Sequence, residues 1–473
     1  MTTQLRSLLN ITPLARKYFL LFLLAFLVAF SVRCLTLQFM RAHLNDPAWF
    51  QLGSYQVFDR RARSILDGSE RLFWIDDPSR TDLVQYPPAF PWLIATIYSL
   101  TGEHSAYAVQ NFLWIFDLFL TMFLATGIAV TAYGWRAGVV TSFLIAVSPL
   151  LAMYGVSPTA DAPTTWFVLG GLWCLLLAAK RDRLGWAIGS GALLGIACWL
   201  RVNPLYLSFF LAFALLLFWN RAWRRRLKLA SVVVAATLLV VSPIVVRNYL
   251  VFPDFTPTGG TLGTNLWEGL GETELGRQHG FRLGDHLMLE RERTAMGVPA
   301  GAKFEMMWPD GIRREKQRTQ ESLAFIKQHP VWYAGVMLHR MWGMLKIAGA
   351  PSPVYGSAGV NVTSKKTLPP ERQGGLLALL VNLLGMVQSL TRYVLLPLAV
   401  AGMILGARQQ RLMTALLLAT IFYYLVPGSA AHTEIRYVLP VHCLLPVFAA
   451  VTLTSAWNYI FRRRSAGFAT AGV

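Results

Sequence analysis

The sequence predicts an all-α polytopic membrane protein with about ten spanning helices, and three observations carry that prediction. Of the 473 residues, 55% are hydrophobic and only 14% charged, with a mean hydropathy of +0.46. That is too apolar for a soluble chain of this length. Long apolar runs recur, among them YFLLFLLAFLVAFSV at 18–32, LYLSFFLAFALLLFW at 205–219 and LASVVVAATLLVVSPIVV at 229–246. With their flanks they reach the roughly 20 residues that cross a bilayer. Finally, charges of opposite sign are segregated along the chain.

The net charge is +19, but the basic residues do not form a nucleic-acid patch. They sit in short gaps between apolar runs: Arg6, Arg16 and Lys17; Arg136; Lys180, Arg181 and Arg183; Arg221, Arg224, Arg225, Arg226 and Lys228; Arg408 and Arg411; Arg462, Arg463 and Arg464. Placing every cluster on the cytoplasmic side, against anionic headgroups, gives a consistent ten-helix topology with both termini inside. The acids are outside: of 24, eight lie in 38–105 and eleven in 247–330. The expected partners at this level are membrane lipids and not nucleic acid. Cys34, Cys174, Cys198 and Cys443 lie in or beside apolar runs with neither disulfide nor zinc spacing, so they read as buried thiols.

The helices expected in order are 17–37, 106–132, 136–153, 162–180, 185–200, 204–220, 229–246, 391–407, 411–427 and 437–459. No cleavage pattern follows the first run, so it reads as a retained helix. The organisation is then a cytoplasmic N-terminus and first helix (1–37), a first outer loop (38–105), a transmembrane core (106–246), a second outer loop (247–390), and C-terminal spanning helices with a basic tail (391–473). Within the first loop, YQVFDRRARSILDG suits a helix closed by Gly68, and YPPAFPWLIATIYSL is too short to span and reads as re-entrant or interfacial. Residues 331–347 and 375–390 read as amphipathic helices at the interface. GALLG at 191–195 is a small-xxx-small pattern suited to close helix packing.

Ionisable residues at membrane depth are costly and are therefore candidates for function. They are Asp117, Asp161, Arg201, Arg247, Glu434 and Arg436, and all but Asp117 fall at outer helix ends. A transporter would instead gather polar groups near the midplane on interrupted helices. Outer-face chemistry is the better reading, with a polytopic lipid or sugar-lipid transporter as the alternative of another class.

Five motifs occur in order: an acidic first loop ending in Tyr86-Pro87-Pro88; SPLLAMYGVSPTADAP at 148–163; LLGIACWLRVNP, ending at Pro204; RNYLVFPDFTPTGGTLGTNLWEG at 247–269; and HTEIRYVLP at 432–440. In this order along a ten-helix chain they resemble the GT-C glycosyltransferase superfamily. The nearest resemblance within it is to bacterial enzymes related to protein O-mannosyltransferases and lipid A aminoarabinose transferases. The likeness covers most of 15–275 and returns at 427–446. It implies a GT-C-like bundle and transfer of a hexose or pentose from a polyprenyl-phosphate carrier to a periplasmic hydroxyl on a glycan, lipid or protein. The implied location is a bacterial cytoplasmic membrane, with no cofactor. An oligosaccharide transferase using a pyrophosphate carrier and a divalent metal is the alternative within the enzyme class.

The resemblance also implies site residues. A catalytic carboxylate is expected just after the first helix in an Asp-x-x-x-Tyr-like pattern. Asp46-Pro-Ala-Trp-Phe50 keeps the pattern with an aromatic in the last place, at the cost of an insertion of about seven residues, and Asp59 lies nearer in register. Both stay open, because Asp46 also suits a helix cap before Pro47 and Asp59 also suits an i,i+4 pair with Arg63. Asp161 matches an acid that lines the cavity, although it also suits a helix N-terminus. Arg201, Arg247 and Arg436 are candidates to hold the departing phosphate, since a guanidinium fork matches phosphate oxygens; snorkelling to headgroups competes for the first two. Tyr86 stands where relatives often carry Lys. Asn248, Asn265 and Glu268, and His432 with Glu434, are candidate substrate contacts. WIDDPSRTD at 74–82 reads as a solvated turn over the outer mouth.

Overall fold

A computed structural model describes residues 13–41, 44, 52–71, 86–251, 261–306, 310–346, 370–432 and 434–470. Asp46 and WIDDPSRTD lie outside these. Among the described residues the structure is α-helices joined by turns and short 3-10 segments. Seven helices are long and apolar enough to cross a membrane, and a bent pair brings the number to eight.

The chain opens with α1 (Pro13–Arg41), α2 (Leu52–Leu66) and α3 (Ala89–Thr101). Helix α2 ends at Gly68, whose φ of +82° suits glycine, as the sequence predicts. Helix α3 packs against α2 and buries Phe90, Ile94, Ile97 and Tyr98. Next come α4 (Ala106–Tyr133), α5 (Trp135–Ala146) and α6 (Pro149–Gly155). The span expected at 136–153 is therefore broken: α5 and α6 meet at 69°. Pro149 lacks an N–H and disfavours helix at the residue before it, while Ser148 caps α6 by accepting from the Leu151 N–H at 3.4 Å.

The core continues through α7 (Asp161–Arg181), α8 (Leu184–Leu200), α9 (Leu207–Phe218) and α10 (Trp223–Val251). With 17 and 12 residues, α8 and α9 extend only about 26 and 18 Å. Both are shorter than a ~30 Å hydrocarbon layer. Helix α7 starts at Asp161 and ends at Arg181, and α8 returns to finish beside Arg201. Asp161 and Arg201 therefore share one end of the bundle, and the basic turn at 180–183 marks the other.

Close packing of α8 on α10 depends on the GALLG glycines. A Cβ on Gly191 would lie 2.3 Å from the Val233 carbonyl oxygen, and one on Gly195 would lie 2.6 Å from Val240 Cβ. Over the Asp161 end sits a polar layer: α11 (Leu262–Gly271), α12 (Glu274–Gln278), α13 (Asp285–Ala295), α14 (Gly311–Gln328) and α15 (Pro330–Met344). It has a small core of its own around Trp267, Leu270, Phe281, Met288 and Phe325. Glu315 on α14 accepts from the Thr264 N–H and hydroxyl at the start of α11, which locks the two helices.

The last helices are α16 (Gly375–Gln409), α17 (Arg411–Leu425) and α18 (Leu439–Thr470). The separate interfacial helix expected at 375–390 and span at 391–407 are one helix of 35 residues. No residue at the expected junction interrupts the ladder, and Pro397 removes a single backbone donor inside it.

Replacing Gly191 with Leu drives a side chain into the α10 backbone and should lower stability by about 1–3 kcal/mol or more. Thermal unfolding in detergent checks this, with Gly185→Ala as the silent control because nothing lies within 4 Å of that position.

Candidate active site at one end of the bundle

The segment between α17 and α18 carries the centre of the site. After a 3-10 turn at Pro427–Ala430 the chain runs through His432 and Glu434 into a second turn, Ile435–Val438. This places Tyr437 where two guanidinium groups meet its ring, Arg201 at 4.8 Å and Arg436 at 5.0 Å from the centroid. Each cation is held by a carboxylate. Arg201 donates from Nη2 to Asp161 Oδ2 at 3.1 Å, and its Nε lies 2.9 Å from Oδ1. Arg436 donates from Nη2 to Glu434 Oε1 at 2.9 Å, and its Nε lies 2.8 Å from Oε2. Asp161 is the first residue of α7 and makes no cap; the N-cap position is Ala160.

A second shell of charge ties this centre to the outer layer. His432 is bracketed by two acids, with Nδ1 bonded to Glu272 and Nε2 3.6 Å from Glu434 Oε1. Burial alone would depress the imidazole, but the bonds to Glu272 and Glu434 outweigh it and raise its pKa well above the ordinary value. Glu272 also lies 3.4 Å from Arg340 Nη2. Arg340, whose side chain has no exposed surface, donates to the Gly269 and Ser429 carbonyls and so pins α11 to the turn after α17.

One helical turn before Glu272, Glu268 accepts from the Gly284 N–H at 3.2 Å and is hydrogen-bonded to Asp285. Burial, then the charge of Asp285, raises the Glu268 carboxyl from 4.5 to about 7. The charges of Asp285, Arg201 and Arg436 also act on Tyr86, whose phenol is pushed to about 12, mainly by burial. Tyr154, on α6, lies in the same field as Asp161, Glu434, Arg436 and Tyr437.

Seven of the candidates read from the sequence therefore converge: Tyr86, Asp161, Arg201, Glu268, His432, Glu434 and Arg436. Four others lie elsewhere or contribute differently. Asn265 meets His432 through its backbone, its carbonyl accepting the His432 N–H at 2.8 Å. Arg247 donates to Asn248 Oδ1 from Nη2 at 2.9 Å and from Nε at 3.2 Å. It lies in the field of Arg61 and Glu70, behind Tyr86, whose carbonyl Arg61 binds at 2.7 Å. Asp59 accepts from Arg63 at 3.0 Å and from the Tyr98 hydroxyl at 2.5 Å, away from the Tyr437 centre.

Sequence reasoning missed Tyr437, Tyr154, Glu272, Asp285, Arg340, Arg61 and Glu70. Tyr437 and Tyr154 stood inside quoted motifs, and Glu272 lies one helical turn after Glu268. Nothing in the sequence distinguishes Asp285 or Arg340 from other charged residues of the outer loop. Among the described residues, no three His, Cys, Asp or Glu side chains group so as to hold a metal ion.

With this geometry, similarity to known proteins can be placed. The family described as dolichyl-phosphate-mannose-protein mannosyltransferase matches residues 85–246, the stretch from just before Tyr86 into α10. No curated protein sequence matches. Among solved structures, the oligosaccharyltransferase AglB from Archaeoglobus fulgidus, in complex with an inhibitory peptide and a dolichol-phosphate, superposes with a TM-score of 0.52. The alignment has 14% identity over 96% of this chain and 52% of AglB. The fold is of the GT-C type.

The apo form of the same oligosaccharyltransferase superposes at 0.53 with the same identity and coverage, so this chain spans about half the length of that enzyme. ArnT from Cupriavidus metallidurans bound to undecaprenyl phosphate aligns at 16% identity over 93% of this chain and 77% of its own, with a TM-score of 0.39, and at that score it carries no functional weight. In this GT-C fold, Asp161 and Arg201 come from within the matched segment, while Glu434, Arg436 and Tyr437 come from the far end of the chain.

A carboxyl raised in the folded state stabilises the fold below its unfolded pKa and loses that contribution as pH climbs through its folded value. Glu268 should therefore cost stability progressively as pH rises from about 4.5 to about 7. Glu268→Gln should flatten the pH dependence of thermal unfolding across that window. Asp285→Asn should move it towards lower pH.

Proposed function

We propose that this chain is a glycosyltransferase that moves a sugar from a polyprenyl-phosphate carrier to an acceptor hydroxyl on the outer face of a bacterial cytoplasmic membrane. The observation that carries the reading is the paired-arginine centre on Tyr437, set at one end of a GT-C bundle. Arg201 donates one Nη2 proton to Asp161, and its Nε lies against the same carboxylate, so the Nη1 protons and the second Nη2 proton remain for another anion. Its side chain keeps 20% exposure while Asp161 has none. The carboxylate therefore orients the guanidinium from behind, and the open side meets the phosphate. As the sugar–phosphate bond breaks, charge builds on the leaving oxygen, and fixed guanidinium donors stabilise that charge without reorganising.

The acceptor hydroxyl needs a base. Asp46 remains the candidate by pattern. Asp59 remains one by register, although Arg63 and Tyr98 already occupy its carboxylate. AglB, bound to a dolichol-phosphate and a peptide, supports a lipid-phosphate carrier in this fold. Divalent-metal chemistry, as in oligosaccharyl transfer from a pyrophosphate, needs several acids free to ligate. Asp161 and Glu434 are each committed to an arginine, which favours the monophosphate carrier. The basic clusters support a topology with both termini on the cytoplasmic side.

Purified protein given a radiolabelled polyprenyl-phosphate sugar and a membrane extract should transfer the label, and activity should persist in EDTA. Transport into proteoliposomes with no covalent transfer would reject the reading in favour of a carrier. Arg201→Lys, which loses the fork while keeping the charge, should reduce kcat by about 10²-fold. Asp46→Asn and Asp59→Asn identify the base; full activity in both would remove the first-loop carboxylate from the mechanism.

A further inference from the structure

A second ion pair lies beneath the site, inside the bundle, and the transfer mechanism does not use it. Arg33 on α1 donates from Nε to Asp117 Oδ2 on α4 at 2.9 Å, and both side chains are buried. Asp117 Oδ1 also accepts from the Thr121 hydroxyl at 2.5 Å and from the Trp166 indole at 3.1 Å. Gly155, the last residue of α6, backs directly onto the carboxylate, since a Cβ there would lie 2.2 Å from Oδ2. Cys443 on α18 is within the electrostatic field of the pair.

Each of these neighbours lies a short step along its element from a site residue. Gly155 follows Tyr154. Trp166 lies five residues, about 7.5 Å of helix, beyond Asp161. Cys443 lies six residues beyond Tyr437. One carboxylate thus contacts α6 and α7 and lies close to α18, the three elements that carry Tyr154, Asp161 and the Glu434–Tyr437 turn.

Stability is a poor explanation for the pair. Apolar residues of similar volume commonly replace a buried ion pair without loss. Arg33 Nη1 and Nη2, moreover, are buried with no hydrogen-bond partner among the described residues. An arrangement that costs desolvation and leaves donors unused is better explained by the geometry it imposes. We propose that Arg33 and Asp117 are positioning residues, which set the height of α6 and α7 and so align Tyr154 and Asp161 with Arg201 and Arg436.

The inference rests on the transferase reading, and the experiment separates the two. Wild-type protein is assayed first; failure to transfer from any polyprenyl-phosphate sugar overturns that reading and the positioning role with it. In active protein, Arg33→Met/Asp117→Ala removes the pair, and Trp166 keeps a partner in Thr121 at 3.1 Å. The expected result is thermal unfolding and donor-lipid Kd close to wild type with kcat reduced about 10²-fold, the scale of a 1 Å misplacement. Gly155→Ala in the wild-type background, with every charge intact, should produce the same kcat-selective loss. In the double variant, where the collision is gone, it should cost little more. The proposal is overturned by wild-type kcat in the double variant. It is equally overturned by a Gly155→Ala effect that is the same in both backgrounds. If the double variant does not fold, Gly155→Ala decides alone, and unchanged kcat there overturns the proposal.

Discussion

Two guanidinium groups lie against the ring of Tyr437 within an apolar bundle, and each must be paired with an acid. A charge in such surroundings pairs, moves to water or neutralises, and arginine cannot neutralise. The carboxylates of Asp161 and Glu434 meet that requirement with two-point contacts that also fix the planes of both guanidinium groups. Much of the architecture follows from bringing those carboxylates in: the start of α7 at Asp161, the return of α8 to Arg201, and the irregular chain between α17 and α18. Broken helix is tolerated at this depth because its polar backbone is buried in protein and not in lipid.

The outer layer is attached by the same logic. Arg340 and His432 both converge on Glu272, so the small core around Trp267 and Phe281 is anchored to the bundle through charge. Glu268 and Asp285 stand apart because they meet each other, and burial together with the charge of Asp285 raises the Glu268 carboxyl. They lie between the exposed rim at Asp285 and the inner cations.

Beneath this centre the Arg33–Asp117 pair repeats the pattern with a different outcome. Arg201 retains partial exposure, whereas the Arg33 side chain has no exposed surface at all. The same residue types therefore separate into a partly open cation and one enclosed by the helices it holds. A bent pair, α5 with α6, lies between the two levels and supplies both Gly155 and Tyr154.

The apolar periodicity determined that the chain is a polytopic helical bundle, because spanning a bilayer leaves few backbone alternatives. The alternation of basic and acidic segments separated its two ends. Asp161, Arg201, Glu434 and Arg436, which the structure brings together, all lie within the ordered motifs. The break after Ala146 was legible in principle at Ser148-Pro149, whereas the continuity of α16 was not, because amphipathic and spanning helices share one period. Tertiary structure alone decided the pairings. Glu434 and Arg436 are two residues apart, but the other pairings depend on helix rotation and on contacts between residues 40 to 160 positions apart, such as Asp161 with Arg201 and Glu272 with His432. No local pattern encodes such distances. The same holds for Asp117, which the sequence marks only as an acid in an apolar helix. Packing makes it the point where the site-bearing helices meet.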